Sequence, residues 1–501
     1  MTNWKKVFFL GAIILFFGIL LRVTNPNSLP VFADEAIYVR WSQVMRAEAT
    51  LRFLPLSDGK QPLFMWLTIP FFKVISDPLL AGRAISALAD SVTIMGVAVA
   101  AYVLFKNTRL SLLAGAIYAV LPYSVFFGRV ALADSLLTMF YVWAFNLLAL
   151  SLILLRLDLA MLAGFSLGFA WLTKSPAIFA IALSPSLFLL LPKPTRKNLL
   201  FAICYLIFAL VIATGMYNIL RLGPEFHMIA LRNRDYVYPI TEILKHPLDP
   251  LIPHLKDSLN FYFYLATPIG LLFTMWGIFE GHRSHLRQRV ILTVWFLVPI
   301  LIQSTMVKAF TARYLLFTVP FAAVLIAHAI EHFGQKSQKH ILTFAAASII
   351  IIPAAVVDWM LLFNPQAAPL PRIERAGYLE EWTAGTGLQD ISAQLAQFAK
   401  SGPVLVGSEG FFGTPFDALQ LYLNNVSNVR VIGVGVWIDS VHEKLQNALA
   451  DNQVFLVVNS SRFHHDDPVK IGLKLLGSYP KALRPDGTRE YTLFFQVTSV
   501  K

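Results

Sequence analysis

The sequence predicts a polytopic α-helical membrane protein with a C-terminal α/β domain, and three observations carry that reading. Of its 501 residues 56% are hydrophobic and 14% charged, against about 45–50% and about 25% in ordinary soluble domains. Apolar runs long enough to cross a bilayer recur along the first 363 positions. After about residue 365 the composition becomes that of a soluble protein, with strand-like and helix-like segments in alternation. The same composition excludes a disordered chain. Cys204 is the single cysteine, so no intramolecular disulfide braces the fold.

A crossing helix needs about 20 mostly apolar residues. Runs of that kind at 7–23, 83–105, 110–127, 134–155, 159–173, 175–191, 199–220, 260–280, 290–307, 314–331 and 341–363 predict about eleven transmembrane helices. The first run ends at Leu21-Arg22-Val23-Thr24 without a small-x-small cleavage pattern, so it reads as a retained helix rather than a signal peptide. Pro176 suits the first turn of a new helix, which divides 159–173 from 175–191 at Lys174.

The breaks between runs carry the orientation. With Lys5 and Lys6 inside, the inside loops hold Lys106 and Arg109, then Arg156, then Lys193, Arg196 and Lys197, then Arg283, Arg287 and Arg289, then Lys336 and Lys339. One parity therefore gathers every basic loop on one side, as cytoplasmic loops require. The opposite breaks, 24–82, 128–133, around Lys174, 221–259, 308–313 and everything after 364, mix acids with bases. The expected organisation is a membrane domain over 1–363 with outer loops 24–82 and 221–259, an extracytoplasmic α/β domain over 364–501, and a cytoplasmic N-terminus. The net charge of +12 belongs mostly to the inside loops and suits anionic lipid; no motif supports nucleic-acid binding.

In the C-terminal part, strands are expected at 404–407, 429–434 and 454–458, with helices near 388–400, 415–424 and 440–451. That alternation predicts a largely parallel sheet. Two further strands are expected at 470–479 and 489–498, separated by the Pro485-Asp486-Gly487 turn. Glu409 falls near a strand's C-terminal end, where open α/β sheets hold ligands, although packing against the membrane domain is the preferred role of this part. His464-His465-Asp466-Asp467 reads as a solvated loop rather than a metal cluster, because its members lack spaced partners. The absence of Walker A and GxGxxG motifs removes support for ATP-driven transport.

Charged groups at membrane depth are expensive, so those that persist merit a functional hypothesis beside the ordinary one of helix-end snorkelling. The parity sets Asp34, Glu35, Arg83, Arg129, Asp134, Lys174 and Arg313 on one side. An acid that takes a proton and bases that hold a phosphate suit reaction on a lipid-phosphate substrate. Asp34-Glu35 also has the plain reading of acids complementing a helix N-terminus, and the segment after Lys60 that of a surface anchor.

The order of these pieces resembles the polyprenyl-phosphate-dependent GT-C glycosyltransferases, in particular the protein O-mannosyltransferase and lipid A aminoarabinose transferase group. The matching pieces are Asp34-Glu35, Lys60-Gln61-Pro62-Leu63, Arg83-Ala84-Ile85-Ser86-Ala87-Leu88, Arg129 with Asp134, Leu172-Thr173-Lys174-Ser175-Pro176 and Arg313-Tyr314-Leu315-Leu316. They span roughly residues 1–330. The resemblance implies inverting transfer of a sugar, mannose or a relative, from a polyprenyl-phosphate donor to a protein, lipid or glycan hydroxyl at the outer membrane face. It implies Asp34 as the catalytic base with Glu35 beside it, and Lys60, Arg83, Lys174 and Arg313 as ligands of the donor phosphate. Arg129, Asp134 and Tyr314 would shape the donor pocket. The aminoarabinose transferases carry a metal-binding Glu before the corresponding Lys, and here that position is Gly59. If a divalent cation binds, Asp34 and Asp134 are the expected ligands.

Two other classes stand beside this one. A transporter or flippase of lipid-linked sugars would place polar groups at the midplane between repeats, and no repeat is visible. An outer-face sensor would bind sugar through the C-terminal domain and need none of the rim charges.

Overall fold

The computed structural model describes residues 4–280, 285–337 and 340–499. Arg283, Lys339 and the side chain of Lys336, counted above among the inside charges, lie outside that set. Every expected apolar run contains helix. Among the described residues seven helices are long and apolar enough to cross a membrane: Trp4–Val23, Pro78–Phe105, Ala133–Leu154, Arg196–Leu222, Leu286–Met306, Ala312–Gly334 and Ile341–Phe363. Three shorter apolar stretches, Thr108–Val120, Leu157–Thr173 and Ser175–Leu190, and one bent pair account for the remaining runs.

Two spans differ from expectation, and proline explains both. The run 260–280 is not one helix but two, Leu248–Leu265 and Pro268–Phe279, bent by 116°. Pro268 has no N–H to continue the first helix, and the Thr267 hydroxyl instead caps the second by accepting from Gly270 N at 3.1 Å. The run 110–127 breaks at Leu121, whose extended backbone precedes Pro122, as sterics before a proline require.

Lipid is as apolar as a leucine side chain, so helix association here rests on close packing and polar contacts rather than on apolar burial. Ala312–Gly334 is almost wholly buried at the centre of the bundle. Around it Tyr141 meets Phe317 at 4.8 Å and Phe145 meets Trp295 at 4.9 Å between ring centroids. Gly277 lets Pro268–Phe279 approach the same helix, since an added Cβ would meet the Leu325 carbonyl oxygen at 2.5 Å.

After Phe363 the chain builds a five-stranded sheet. Two short strands elsewhere join the parts: β1 (Val31–Phe32) pairs antiparallel with β2 (Ala384–Gly385), Val31 opposite Gly385. The sheet consists of β3 (Val404–Ser408), β4 (Val429–Gly433), β5 (Gln453–Asn459), β6 (Leu473–Leu483) and β7 (Arg489–Val497), in the order β4-β3-β5-β7-β6. The largely parallel sheet expected from the sequence is instead mixed. β3 lies parallel to β4 and β5, but β7 is antiparallel to both β5 and β6. The short Pro485-Asp486-Gly487 connection permits only an antiparallel hairpin.

The helix Ala33–Ala47 is tied to the C-terminal part. Gln43 Nε2 donates to Leu421 O at 3.0 Å, and Arg40 donates to Gln420 and Asn424 of the C-terminal part. Its start is thereby fixed where the bundle meets the sheet, and Asp34 is fixed with it.

Candidate active site

Asp34 and Glu35 open the same helix but serve different ends, because successive residues project about 100° apart around the helix axis. Glu35 is fully buried. Its Oε2 accepts from Phe32 N at 3.0 Å, which caps the helix, and its Oε1 accepts from Ala131 N at 2.6 Å. The Asp34 side chain is 31% exposed, and its Oδ2 lies 2.6 Å from Arg313 Nη2. Burial pushes the Asp34 carboxyl up, but Arg313, then Lys60 and Lys174, outweigh it and hold the group below the usual carboxylate range.

Lys174 occupies the break between Leu157–Thr173 and the turn Ser175–Ala177, with extended backbone. The interruption lets its side chain leave the helical path. Its Nζ contacts Asp134 Oδ1 at 2.6 Å and sits 4.5 Å from the centre of the Tyr314 ring. Asp134 stands in the first turn of Ala133–Leu154, where a carboxylate complements the helix dipole.

Lys60 arrives by another route. Gly59 before it has φ +67°, a conformation that favours glycine, and an added Cβ would lie 2.7 Å from Arg232 Cβ. Lys60 Nζ then donates to the Tyr236 hydroxyl at 3.2 Å and lies 4.4 Å from its ring centre. Tyr236 ends the helix Met228–Tyr236, whose Arg232 pairs with Asp58 at 2.6 Å. The loop 221–259 is thus built largely from helices, among them Met228–Tyr236 and Ile240–Lys245.

These groups meet in one pocket, with about 380 Å³ of empty space including its open mouth. Asp34, Tyr38, Lys60, Gln61, Lys174, Arg313 and Tyr314 line it, with Met65, Ala133 and Thr173 as apolar and small contributors. Three cations and one carboxylate face the same space, with Asp134 behind Lys174. Such an arrangement can take up an anion with more than one negative charge while keeping a proton acceptor beside it.

Three residues expected at the site are turned away from it. Glu35 and Arg83 are not in the pocket: Arg83 Nε and Nη2 donate to the two Glu35 carboxylate oxygens at 2.9 and 2.8 Å, and its remaining donors reach the carbonyls of Pro26, Leu29 and Pro30. Nor does Arg129 line it. That guanidinium donates to the carbonyls of Leu21, Thr24 and Asn25 and to Ser28 Oγ, pinning the chain as it leaves the first helix. A buried guanidinium with these donors engaged has little left for a ligand phosphate. Deeper still, Arg22 pairs with Asp90 at 2.5 Å and Tyr118 donates to the same carboxylate at 2.6 Å.

The carboxylates considered for a divalent cation are also spoken for. Asp34 faces Arg313 and Asp134 faces Lys174, so each already has a base where a metal would sit. Among the described residues no group of three or more His, Cys, Asp or Glu stands together. The donor set does not fit a divalent cation.

Sequence reasoning missed Tyr38, Gln61 and Tyr236 as parts of the site. Tyr38 follows Asp34 by one helical turn, a spacing that puts both on one face, so a signal was available. Gln61 donates to Ser175 Oγ at 2.8 Å and ties the Lys60 segment to the Lys174 break, a contact no spacing announces.

With this geometry in view, the chain shows likenesses to known proteins. Residues 59–218 match the family model for dolichyl-phosphate-mannose-protein mannosyltransferase. Among solved structures, ArnT from Cupriavidus metallidurans bound to undecaprenyl phosphate aligns over 98% of this chain and 98% of its own, with a TM-score of 0.60 at 14% identity. The archaeal oligosaccharyltransferase AglB from Archaeoglobus fulgidus, in complex with an inhibitory peptide and a dolichol-phosphate, aligns over 99% of this chain and 75% of its own, with a TM-score of 0.50 at 11% identity. A search of curated proteins gives no match.

Proposed function

We propose that this integral membrane protein, whose fold is that of ArnT, is an inverting membrane glycosyltransferase of the GT-C kind using a polyprenyl-phosphate sugar, a reading that the mannosyltransferase family model over residues 59–218 supports. The observation that carries the reading is the meeting of Asp34 with Lys60, Lys174 and Arg313 in one pocket. The undecaprenyl phosphate of the ArnT structure and the dolichol-phosphate of the AglB structure supply the matching ligand class.

The chemistry follows from charge. A polyprenyl-phosphate sugar is a phosphodiester with one negative charge. When its bond to the sugar C1 breaks, the electron pair goes to the phosphate oxygen and a second charge develops there. Lys60, Lys174 and Arg313 stabilise the charge that grows during the reaction, the kind of interaction that lowers a barrier. The acceptor oxygen forms the new bond to C1 from the opposite face and loses its proton to the Asp34 carboxylate. Lys174 keeps its orientation through Asp134 and Tyr314, and Lys60 through Tyr236.

On this reading the pocket opens on the extracytoplasmic side, the N-terminus is cytoplasmic, residues 1–363 form the transferase domain and 364–501 an extracytoplasmic domain. The basic breaks at Lys5-Lys6, Lys106-Arg109 and Lys193-Lys197 support that orientation. The acceptor is a hydroxyl of a protein, lipid or glycan.

The test is sugar release from a panel of radiolabelled polyprenyl-phosphate sugars by purified protein in lipid, wild type against Asp34→Asn, with and without a chelator. Turnover lost in the variant and indifferent to the chelator supports the reading. Donor binding without turnover would move the protein to the flippase class.

A further inference from the structure

Arg313 is a wall shared by two hollows. The first is the pocket just described. The second lies on its other side, with about 740 Å³ of empty space including the open mouth, and is lined by Phe32, Thr311, Glu374, Tyr378 and Thr383 among others. It sits where the segment after the last long apolar helix folds back over β1, and the mechanism above leaves it unused.

Its polar groups are incompletely satisfied. Tyr378 is 3% exposed, its ring stacked on Phe32 at 4.2 Å and met edge-on by Phe126 at 5.0 Å. Its hydroxyl nevertheless finds no hydrogen-bond partner among the described residues, and neither does the buried Thr311 hydroxyl two positions before Arg313. Buried hydroxyls are ordinarily paired, and an exception calls for a ligand or an ordered water. Glu374 is 2% exposed and accepts from Ala312 N at 2.6 Å, which uses one of the several acceptor positions of a carboxylate. Glu381 and Thr383 add a second acid and a third hydroxyl at the rim.

We propose that this second hollow is a subsite for a sugar ring, whose hydroxyls donate to Glu374 and Glu381 and pair with Tyr378 and Thr311. Vicinal hydroxyls, each both donor and acceptor, are the chemistry that two acids and two unpaired hydroxyls on one wall recognise. The ring belongs either to the donor, reaching past Arg313 from its phosphate, or to a glycan acceptor approaching from the other side. The inference rests on the first pocket being the donor-phosphate site.

The experiment uses the full chain in lipid nanodiscs and the variants Tyr378→Phe and Thr311→Val, which remove an oxygen and keep the shape. Binding is measured for undecaprenyl phosphate and for undecaprenyl-phosphate mannose, and transfer to a panel of methyl glycosides is measured against hydrolysis of the same donor. Affinity for bare undecaprenyl phosphate should not change, and thermal stability should hold or rise because an unpaired buried hydroxyl is lost. A loss of about three- to tenfold for the mannose-bearing donor alone assigns the hollow to the donor sugar. An unchanged donor affinity with transfer to glycoside falling by a similar factor relative to hydrolysis assigns it to the acceptor. If both variants keep the wild-type preference for sugar-bearing over bare phosphate and the wild-type partition between transfer and hydrolysis, the hydroxyls hold water and the proposal fails while the proposed function stands. If the wild type does not bind undecaprenyl phosphate, the reading of the first pocket fails and the subsite falls with it.

Discussion

Arg313 Nη2 lies 2.6 Å from Asp34 Oδ2, so the carboxylate proposed as base and one cation proposed for the phosphate neutralise each other before a donor arrives. A donor phosphate competes for that guanidinium. Each contact Arg313 makes with the phosphate weakens its hold on Asp34, and the carboxylate becomes a better proton acceptor as the donor seats. Coupling of this kind would keep the base ionised yet poorly basic until the substrate is in place.

Asp34→Asn removes the proton acceptor while keeping the shape of the side chain. Transfer should fall by about 10²–10⁴-fold, the usual worth of a positioned general base. Binding of undecaprenyl phosphate should hold or tighten, because Arg313 loses its internal partner. Single-turnover transfer and equilibrium binding on the same preparation check this, and near-wild-type transfer would remove Asp34 from the mechanism.

The two lysines differ in how cleanly they can be tested. Lys60 pairs with the neutral Tyr236, so Lys60→Gln strands no buried charge. It should raise the dissociation constant for undecaprenyl phosphate by about 10- to 100-fold, as hydrogen bonds to charged groups are worth roughly 1.5–3 kcal/mol. Lys174→Gln leaves Asp134 without its base and should also destabilise the fold. Adding Asp134→Asn should then restore the thermal midpoint without restoring donor affinity.

Glu35 and Arg83 serve folding, on the geometry found. Arg83→Met leaves a fully buried carboxylate unpaired, which costs about 3–5 kcal/mol. The expected result is a marked drop in thermal midpoint and yield, with unchanged affinity for undecaprenyl phosphate in the protein that remains folded. A stable variant with weakened donor binding would return Arg83 to the phosphate site.

Helix runs, the strand-bearing C-terminal part and the collection of Asp34, Lys60, Lys174 and Arg313 were legible in the sequence because each rests on a local signal: a length of apolar chain, a change of composition, a charge at a span boundary. What sequence could not supply is direction. Arg83 and Arg313 carry the same charge at comparable boundaries, and it is the Glu35 carboxylate together with the carbonyls of Pro26, Leu29 and Pro30 that turns Arg83 inward. Arg129 was misread for the same reason. Tyr236 reaches Lys60 across 176 positions, a contact set by packing of the rim helices, and the bend at Thr267-Pro268 was hidden by uniform apolarity around the proline.

Glu374 gives a pH prediction with a definite sign. Burial pushes its carboxyl up, and the Ala312 N–H and Arg313 only partly offset this, leaving it at about 7. In the unfolded chain a Glu titrates near 4.3, so between those values the folded state binds the proton more tightly. The contribution to stability is therefore complete below about pH 4.3 and is lost as pH rises through about 7, by an amount on the order of 3 kcal/mol. Glu374→Gln keeps an acceptor for Ala312 N and cannot ionise. Glu409, also raised to about 7, and Lys481, lowered to about 7, add their own pH dependence to both proteins, so the difference between variant and wild type isolates Glu374. That difference in thermal midpoint should be near zero at pH 4 and favour the variant at pH 8. A variant equally displaced at both values would show that Glu374 is ionised throughout and that its burial is compensated by a partner not yet identified.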